Sequence, residues 1–395
     1  MVEKQGREVV AVESDFLAGL RRGLHTRPAN RMEARRSSAI DAKHLRDRGY
    51  TPHTGLARTG VVATLDTGLA GPSIMLRADM DALPVTEAGQ APWASCTPGV
   101  MHACGHDGHT TMLLGAAALL KADPPPCGKV HFVFQPAEEG GAGAQVMIDE
   151  GLFELFPTDY CFGLHNWPGL AAGRLGVRSG PIMAGGWRFA IQITGKGSHA
   201  AQPHLGTDPL TIGAALVQEA QLLVARRTDP IIPAVVSFCI FDAGSADNIL
   251  PETARLAGTL RALDPLVLDE LKDGLQRLCN GLEIAHGVDV QVNFHQPYPV
   301  TVNEHRATQI ARQAMQALEE QMGGPAPDMD IAPSLASEDF GFMLQEKPGA
   351  YAMIGNGESH KLHSPDYDFD DSIITRGVRY WHRLAHTCAA AGHAA

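Results

Sequence analysis

One short segment of the sequence concentrates side chains that bind transition metals. In MHACGHDGHT, Cys104 and His106 stand two positions apart, and His102, Asp107 and His109 surround them. Thiolate and imidazole groups at this density are typical ligands of zinc and its neighbours in the first transition row. A hydrogen-bonded structural role would explain any one of these histidines, but it explains the whole group poorly. The segment therefore predicts a metal site.

Two pairs of carboxylates lie close to predicted strand ends. Asp79 and Asp81 end one strand, where either could orient a ligand imidazole, although a surface turn explains Asp79 equally well. Glu138 and Glu139 follow the next strand, and adjacent carboxylates can serve as a general base and a metal ligand. Taken alone, the glutamate pair favours the first turn of a helix, where acidic groups complement the helix dipole.

Two isolated histidines extend the set of metal donors. His165 ends another apolar strand in FGLHNWP, and His363 lies in the turn-rich KLHSPDYDFDD. Together with Cys104, His106 and Glu139 they make five donors, which is enough for two metal ions that share a water.

The elements predicted around these residues alternate between strand and helix. Apolar runs bounded by glycine and proline predict strands at 60–66, 73–79, 129–136 and 160–166. Apolar residues at helical spacing predict helices at 108–123 and 141–151. This alternation predicts an α/β domain with a mostly parallel sheet.

The pattern changes near residue 180. The linker-like SGPIMAGG precedes a block in which strand, helix, strand, strand, helix and strand follow one another, an order that predicts a ferredoxin-like α+β sandwich. Four of the five metal donors precede this block and one follows it. We therefore predict an inserted domain at 183–296 within a catalytic domain formed by 1–182 and 297–395.

Polar residues of the predicted insertion are candidates for substrate contacts. His199 and His204 lie among small residues and turns, and Asn248 and Arg261 lie near strand ends. His199 could donate to a reacting carbonyl, and Asn248 or Arg261 could hold a carboxylate. Solvent-facing positions explain these residues at least as well.

The composition excludes several classes of protein. The chain has 395 residues, 44% of them hydrophobic and 19% charged, which is typical of a globular protein with two or three domains. Its net charge of −12 disfavours nucleic-acid binding. The seven cysteines form no CxxC pair, and the sequence predicts neither a signal peptide nor a membrane span. We therefore expect a cytoplasmic protein.

Taken together, the motifs resemble those of the N-acyl-L-amino-acid amidohydrolase family, which includes hippurate hydrolases and indole-3-acetyl-amino-acid hydrolases and is related to aminoacylase and carboxypeptidase G. The motifs that carry the resemblance include RADMDALPV, MHACGHDGHT, QPAEEGGAGA, GLHNWP, GKGSHAAQPHLGTDP, ADNILP and LHSPDYDFDD. They cover the chain from about residue 60 to its end. The resemblance implies two divalent metal ions per subunit, manganese or zinc first, with cobalt or nickel as alternatives.

The resemblance also implies roles for individual residues. Glu138 would be the general base, Asp81 would support the metal ligands, and His199 would stabilise the tetrahedral intermediate from a lid and dimerisation domain. The metal ligands would be Cys104, His106, Glu139, His165 and His363. The residues implied to contact the substrate are Asn248 and Arg261, with His204 as a further candidate.

The N-terminal segment departs from the family pattern. Relatives carry LHxHPELxxEE, whereas this chain reads LHTRPANRMEARRSS. It keeps His25 and Pro28 but has Ala29 where glutamate is expected. This substitution puts in doubt the packing or substrate-binding role that the N-terminal helix has in the family. All five metal donors are intact.

We therefore expect a homodimeric, metal-dependent amidohydrolase. It would cleave an N-acyl-L-amino acid, either a hippurate-like compound or an N-acetyl amino acid, into a carboxylic acid and a free amino acid. Two alternatives stay open. One is a dipeptidase or carboxypeptidase on the same scaffold, and the other is a non-catalytic protein that binds a metal or ligand.

Overall fold

The chain alternates helices and strands through most of its length. A computed structural model describes residues 2–392, with side chains from residue 14 onwards. The helices are α1 (Val2–His25), α2 (Arg35–Asp47), α3 (His106–Ala122), α4 (Glu138–Gly141), α5 (Gly143–Asp149), α6 (Leu152–Leu155), α7 (Pro209–Leu222), α8 (Pro265–His286), α9 (His305–Met322), α10 (Phe340–Glu346) and α11 (Ile374–Ala391). The strands are β1 (His53–Leu56), β2 (Gly60–Asp66), β3 (Ser73–Asp79), β4 (Lys129–Gln135), β5 (Tyr160–Trp167), β6 (Leu175–Gly176), β7 (Gly180–Met183), β8 (Gly185–Thr194), β9 (Ser198–His199), β10 (Ala234–Ala243), β11 (Ile249–Leu250), β12 (Thr253–Ala262), β13 (Asp289–Tyr298), β14 (Thr301–Asn303) and β15 (Gly349–Gly355).

The chain divides into two compact units. The first runs to Gly180 and continues with Val302–Ala332 and the chain from Asp339 onwards. The second comprises Pro181–Thr301 and Pro333–Glu338. None of the described helices combines the length and the apolar character that a membrane crossing requires.

A seven-stranded sheet forms the centre of the first unit, in the order β1-β2-β4-β3-β5-β15-β6. The four central strands β4, β3, β5 and β15 are parallel, whereas β1, β2 and β6 pair antiparallel at the edges. The predicted α/β fold is therefore confirmed, but the sheet is mixed. The predicted mostly parallel arrangement holds for the four central strands, whereas the short connection between β1 and β2 makes them an antiparallel hairpin at one edge.

Alternation along the central strands separates a large apolar core from a polar face. Ile74, Leu76 and Ala78 of β3 belong to the main core, in which α3 supplies residues such as Leu113. Arg77, between them, is buried on the other face of the sheet. The helix α3 is buried over nearly its whole length, and α1, α2 and α11 pack against it. These contacts fix the N-terminal end of α3, which carries His106.

The second unit contains a four-stranded antiparallel sheet in the order β10-β12-β8-β13. Its chain order is strand, helix, strand, strand, helix, strand, with α7 and α8 packed on the sheet. This is the ferredoxin-like arrangement that the sequence order predicts. Phe189, Ile191 and Ile193 of β8 form its core with Leu216 and Leu275 of the two helices.

Two predicted elements differ locally from the structure. The segment near residue 180, which its Pro and Gly residues made look like a linker, contains the short strand β7. The helix predicted at 141–151 is limited to α5, Gly143–Asp149, because Ala142 adopts a left-handed conformation with φ 48° immediately before it.

Candidate metal centre

The polar residues predicted at strand ends gather at one edge of the seven-stranded sheet. Asp79 ends β3, Glu138 follows β4 after two intervening residues, and His165 lies near the end of β5. Because β3, β4 and β5 run parallel, their carboxyl ends meet at the same edge, where open α/β sheets bind their ligands.

A strained turn presents the two adjacent glutamates. Ala137 has φ 59° and Ala142 has φ 48°, both in the left-handed region, and Glu139 is non-helical inside the turn. The backbone N–H groups of Glu138 and Glu139 donate to the two carboxylate oxygens of Asp81, at 3.0 and 3.1 Å. The backbone of the pair is therefore anchored by a buried carboxylate, and the short α4 that begins at Glu138 is irregular, with non-helical angles at Glu139 and Gly140.

Three of the predicted donors converge. Ligand atoms of Cys104, His106 and Glu139 all lie within 4.8 Å of one another. Nδ1 of His106 is buried and makes no hydrogen bond, and it lies 3.5 Å from Asp81 Oδ1. Side chains of these types at this spacing can bind a transition-metal ion.

His165 extends the cluster on the side of Cys104. Its Nε2 lies 3.4 Å from Cys104 Sγ, and its Nδ1–H donates to the carbonyl oxygen of Asn166 at 2.6 Å. That hydrogen bond leaves the lone pair on Nε2, which is the tautomer that a hydrogen-bonded carbonyl imposes on metal-binding histidines.

His363 extends the cluster on the side of Glu139. Its Nε2 lies 3.1 Å from Glu139 Oε1, and its side chain is 54% exposed, so solvent reaches this end of the site. The backbone of His363 has φ 66° and its N–H donates to Ala103 O at 2.8 Å. The structure thus brings all five predicted donors into one continuous cluster.

His109 belongs to the same cluster but is occupied by other partners. Its Nδ1 lies 2.5 Å from Asp79 Oδ1, and its Nε2 accepts the backbone N–H of Asn166 at 2.9 Å. Both ring nitrogens of His109 are therefore used in hydrogen bonds, which argues against a metal-ligand role. This holds even though ligand atoms of four residues lie within 4.8 Å of one another here, namely Asp79, His106, His109 and His165. Asp79 is fully buried, so the surface-turn alternative for it is wrong.

Burial and charge shift the ionisation of the donors. Burial raises the pKa of the Cys104 thiol well above its ordinary value and lowers the pKa of His165 well below it. Burial also disfavours the charged form of His106, but Asp79 and Asp81 outweigh it and raise the pKa of His106 to about 10. Metal binding at this cluster therefore has to displace protons.

Sequence reasoning missed the residues that hold the Cys104 segment. The side-chain amide of Asn166 donates to Cys104 O at 2.6 Å, and the Tyr367 hydroxyl donates to Asn166 Oδ1 at 2.6 Å. Gly105, with φ 87°, has no room for a side chain, since a Cβ would lie 2.2 Å from Asn166 Nδ2. The position of Asn166 directly after His165 is the one sequence signal that could have indicated it.

A buried guanidinium supports the carboxylate of Asp79. Arg77 donates to Asp79 Oδ2 at 2.7 Å, to Asp339 Oδ1 at 2.9 Å and to Gln135 Oε1 at 2.8 Å. Burial is complete or nearly so for Arg77, Asp79 and Asp339. The network fixes Asp79 and, through it, His109.

We expect the change Arg77→Met to destabilise the first unit by about 3–5 kcal/mol, because Asp79 and Asp339 would lose their buried positive partner. Urea unfolding of the variant and of the wild type measures this difference. Arg188→Met, at an exposed position of β8, serves as the matched control. Equal unfolding midpoints for all three proteins would show that the ion pairs contribute nothing.

The N-terminal segment that lacks the expected glutamate is hydrogen-bonded to the rest of the first unit. The carbonyl of Ala29 accepts the N–H of Ala82 at 2.9 Å, so the segment is bonded to the chain just after Asp81. His25 is buried, and its Nδ1 donates to Asp107 Oδ2 at 2.8 Å. Burial disfavours the charged imidazole, but Asp107 outweighs it and the pKa of His25 rises to about 9.

The raised pKa of His25 predicts a pH-dependent contribution to stability. Since the folded value exceeds the unfolded value of 6.5, the contribution, about 3 kcal/mol, is complete below that pH and is lost as pH rises through about 9. We expect wild type to exceed His25→Gln in free energy of unfolding near pH 6 and to approach it near pH 10. A difference that stays constant in urea titrations across this range would exclude the ion pair as its source.

The candidate substrate residues lie in the second unit. His199 is exposed, accepts the N–H of Ala201 on Nδ1 at 3.0 Å, and lines a cavity of about 770 Å³. His204 and Asn248 are exposed, and Arg261 is half-buried with its guanidinium donating to the Ser337 hydroxyl. Within this unit, His199 and Asn248 are near neighbours, because the Asn248 carbonyl accepts the N–H of Ala200.

A buried cluster of thiol, imidazole and carboxylate groups at the edge of an α/β sheet defines a metallohydrolase type of site. The chain belongs to peptidase family M20/M25/M40, whose model matches residues 75–387. It is 36% identical to the hippurate hydrolase of Campylobacter jejuni, over 96% of this chain and 97% of that enzyme. It is 37% identical to the N-acetyl-L-cysteine deacetylase of Bacillus subtilis, over 93% of this chain and 87% of that enzyme.

A solved structure supports the same assignment. The YXEP protein of Bacillus subtilis, described as a dinuclear metal-binding peptidase of the M20 family, superposes with a TM-score of 0.81 and 28% sequence identity. The alignment covers 96% of this chain and 99% of that protein. The predicted family and fold class are therefore confirmed.

Proposed function

We propose that this protein is a metal-dependent amidohydrolase that cleaves N-acyl-L-amino acids into a carboxylic acid and a free amino acid. The observation that carries the proposal is the buried convergence of Cys104, His106 and Glu139, with Glu138 beside them on a strained turn. The relatives named hippurate hydrolase and N-acetyl-L-cysteine deacetylase support the substrate class.

The donor set fits two divalent metal ions. Nδ1 of His106 faces the carboxylate of Asp81, while its Nε2 lies 4.0 Å from Glu139 Oε1, and the tautomer of His165 leaves Nε2 available. Imidazole nitrogens oriented in this way by a carboxylate or a carbonyl are suited to bind a cation. We propose Cys104, His106, Glu139, His165 and His363 as the ligands, with manganese or zinc as the metals and cobalt or nickel as alternatives.

Glu138 is suited to act as the general base. When bound, the metal ions supply Lewis-acid chemistry to the amide carbonyl and to the attacking water. Glu138 is only 6% exposed, and Asp81 fixes its backbone directly beside the proposed ligand Glu139, so its carboxylate is a buried group next to the proposed metal site. It accepts the proton of the attacking water and then delivers that proton to the leaving nitrogen.

Residues of the second unit are proposed for substrate binding on the resemblance to the amidohydrolases. His199 would stabilise the negative charge that develops on the carbonyl oxygen, since a histidine N–H is an effective donor to an oxyanion. Arg261 and Asn248 would bind the carboxylate of the substrate, with His204 beside them. We also propose that the unit serves as a lid and a dimerisation domain, that the protein is a homodimer, and that it resides in the cytoplasm.

A substrate panel separates the proposed activity from its closest alternative. N-acetyl, N-benzoyl and N-indoleacetyl amino acids are compared with unblocked dipeptides, and the release of free amino acid is measured. We expect blocked amino acids to be cleaved at least tenfold faster, in line with the relatives named hippurate hydrolase and N-acetyl-L-cysteine deacetylase.

The alternative is a dipeptidase or carboxypeptidase on the same scaffold, which the peptidase description of the YXEP protein favours. Faster cleavage of the unblocked dipeptides would establish that alternative. Metal binding without hydrolysis of any substrate would instead establish a non-catalytic binding protein.

A further inference from the structure

A second group of metal-binding side chains lies at the opposite end of α3 from the sheet-edge cluster. His106 begins α3, whereas Asp123 follows its last residue, Ala122. The 17 residues of the helix span about 25 Å, so the two groups are separate. The second group consists of Asp123 and two histidines of α11, His382 and His386.

The two histidines share one face of α11. They are four positions apart, which places their side chains one above the other on a helix, and their ring centroids are 4.5 Å apart. Nε2 of His382 lies 3.1 Å from Asp123 Oδ2, and Nε2 of His386 lies 3.2 Å from the Asp123 carbonyl oxygen. One ligand atom from each of the three residues lies within 4.8 Å of the other two.

The surrounding chain holds these residues in position. Asp123 is followed by Pro124, Pro125 and Pro126, whose fixed φ angles end the helix and stiffen the loop. The loop is bonded to α11, since Cys127 Sγ donates to Ala389 O at 3.7 Å. Helix α11 itself packs against α3. The three donors are therefore pre-organised by elements that contact one another.

The two imidazoles contact different acceptors of Asp123, since His382 bonds its carboxylate and His386 bonds its backbone carbonyl. These contacts also bring a ring nitrogen of each histidine and a carboxylate oxygen of Asp123 within 4.8 Å of one another. Two histidines at this helical spacing form one face of a metal site when a third ligand is available, and Asp123 supplies it. Its side chain is 53% exposed, which leaves an open side for water as a further ligand.

We propose that His382, His386 and Asp123 form a peripheral site for a divalent transition-metal ion such as zinc, which fastens α11 to the end of α3. Imidazoles with one carboxylate suit zinc, nickel or copper better than calcium or magnesium, which require oxygen ligands. Tetrahedral coordination places ligand atoms about 3.3 Å apart, so small side-chain rotations complete the site. The proposal does not depend on the proposed amidohydrolase activity.

Zinc stoichiometry tests the peripheral site directly. The metal-stripped protein is dialysed against buffered Zn²⁺, and bound zinc per subunit is measured by elemental analysis. We expect the double variant His382→Ala/His386→Ala to bind about one ion fewer than wild type. The control variant His286→Ala/His295→Ala removes two exposed histidines of the second unit and should bind as much as wild type.

Thermal unfolding gives a second readout of zinc binding, and a milder variant covers the case in which the double variant misfolds. Zinc at about 100 times its dissociation constant should raise the Tm of wild type by about 5 °C more than that of the double variant. If the double variant fails to fold, the single change His386→Gln, at a partly exposed position, carries the same comparisons. Equal zinc content and equal zinc-dependent Tm shifts in wild type and variants would overturn the proposal, whatever the hydrolytic activity is.

Discussion

Replacing Glu138 with glutamine should lower turnover of N-acyl amino acids by about 10²–10⁴-fold and leave metal content unchanged. Glutamine keeps the shape of the side chain but cannot accept a proton from the attacking water. General-base catalysis contributes about 10²–10⁴-fold to rate, so we expect kcat to fall by a factor in that range. Steady-state assays of amino-acid release and elemental analysis of the purified variant measure the two quantities.

The expected result depends on Glu138 being a base and not a ligand. Glu154→Gln, at an exposed position of α6, is the matched control and should behave as wild type in both assays. Near-normal turnover of Glu138→Gln would refute the base assignment. Loss of metal from this variant would instead make Glu138 a ligand.

Replacing Cys104 with alanine should remove both metal and activity. The thiol is buried beside His165 and in reach of His106 and Glu139, so its loss opens the centre of the donor cluster. We expect about one metal ion fewer per subunit and a fall of at least 10² in kcat/KM, because both proposed steps need the metal. Metal analysis after dialysis and amino-acid release assays measure these effects.

Another buried cysteine provides the control. Cys161 lies on the same strand as His165, four residues before it and about 13 Å away. Its thiol contacts backbone carbonyls, such as that of Met343 at 3.7 Å, and burial raises its pKa above the ordinary value. Cys161→Ala should keep the metal and the activity. Equal behaviour of the two cysteine variants would rule out a specific ligand role for Cys104.

The donors of the metal centre could be predicted because their sequence neighbourhoods are informative. Cys104 and His106 stand in one dense segment, Glu138 and Glu139 follow an apolar strand, and His165 lies near the end of another. Parallel strands bring such positions to one edge of the sheet, so the pattern of strands already indicated a shared site. The same reasoning predicted the strand and helix order of the second unit.

The supporting residues could not be predicted because their partners are distant in the sequence. The hydrogen bond between Tyr367 and Asn166 joins residues 201 positions apart, and the one between Arg77 and Asp339 joins residues 262 positions apart. Neither spacing leaves a periodic signal. The left-handed conformation of Ala137 was equally hidden, because alanine gives no sign of the turn that presents Glu138.

Hydrolysis of N-acyl amino acids by this protein should require bound metal. The protein is stripped with a chelator, assayed with N-acetyl and N-benzoyl amino acids, and assayed again after Mn²⁺ or Zn²⁺ is restored. We expect no release of amino acid from the stripped protein and recovery of release as the first metal ions per subunit bind. Release that continues unchanged without metal, or no release of amino acid at any metal content, would contradict this expectation.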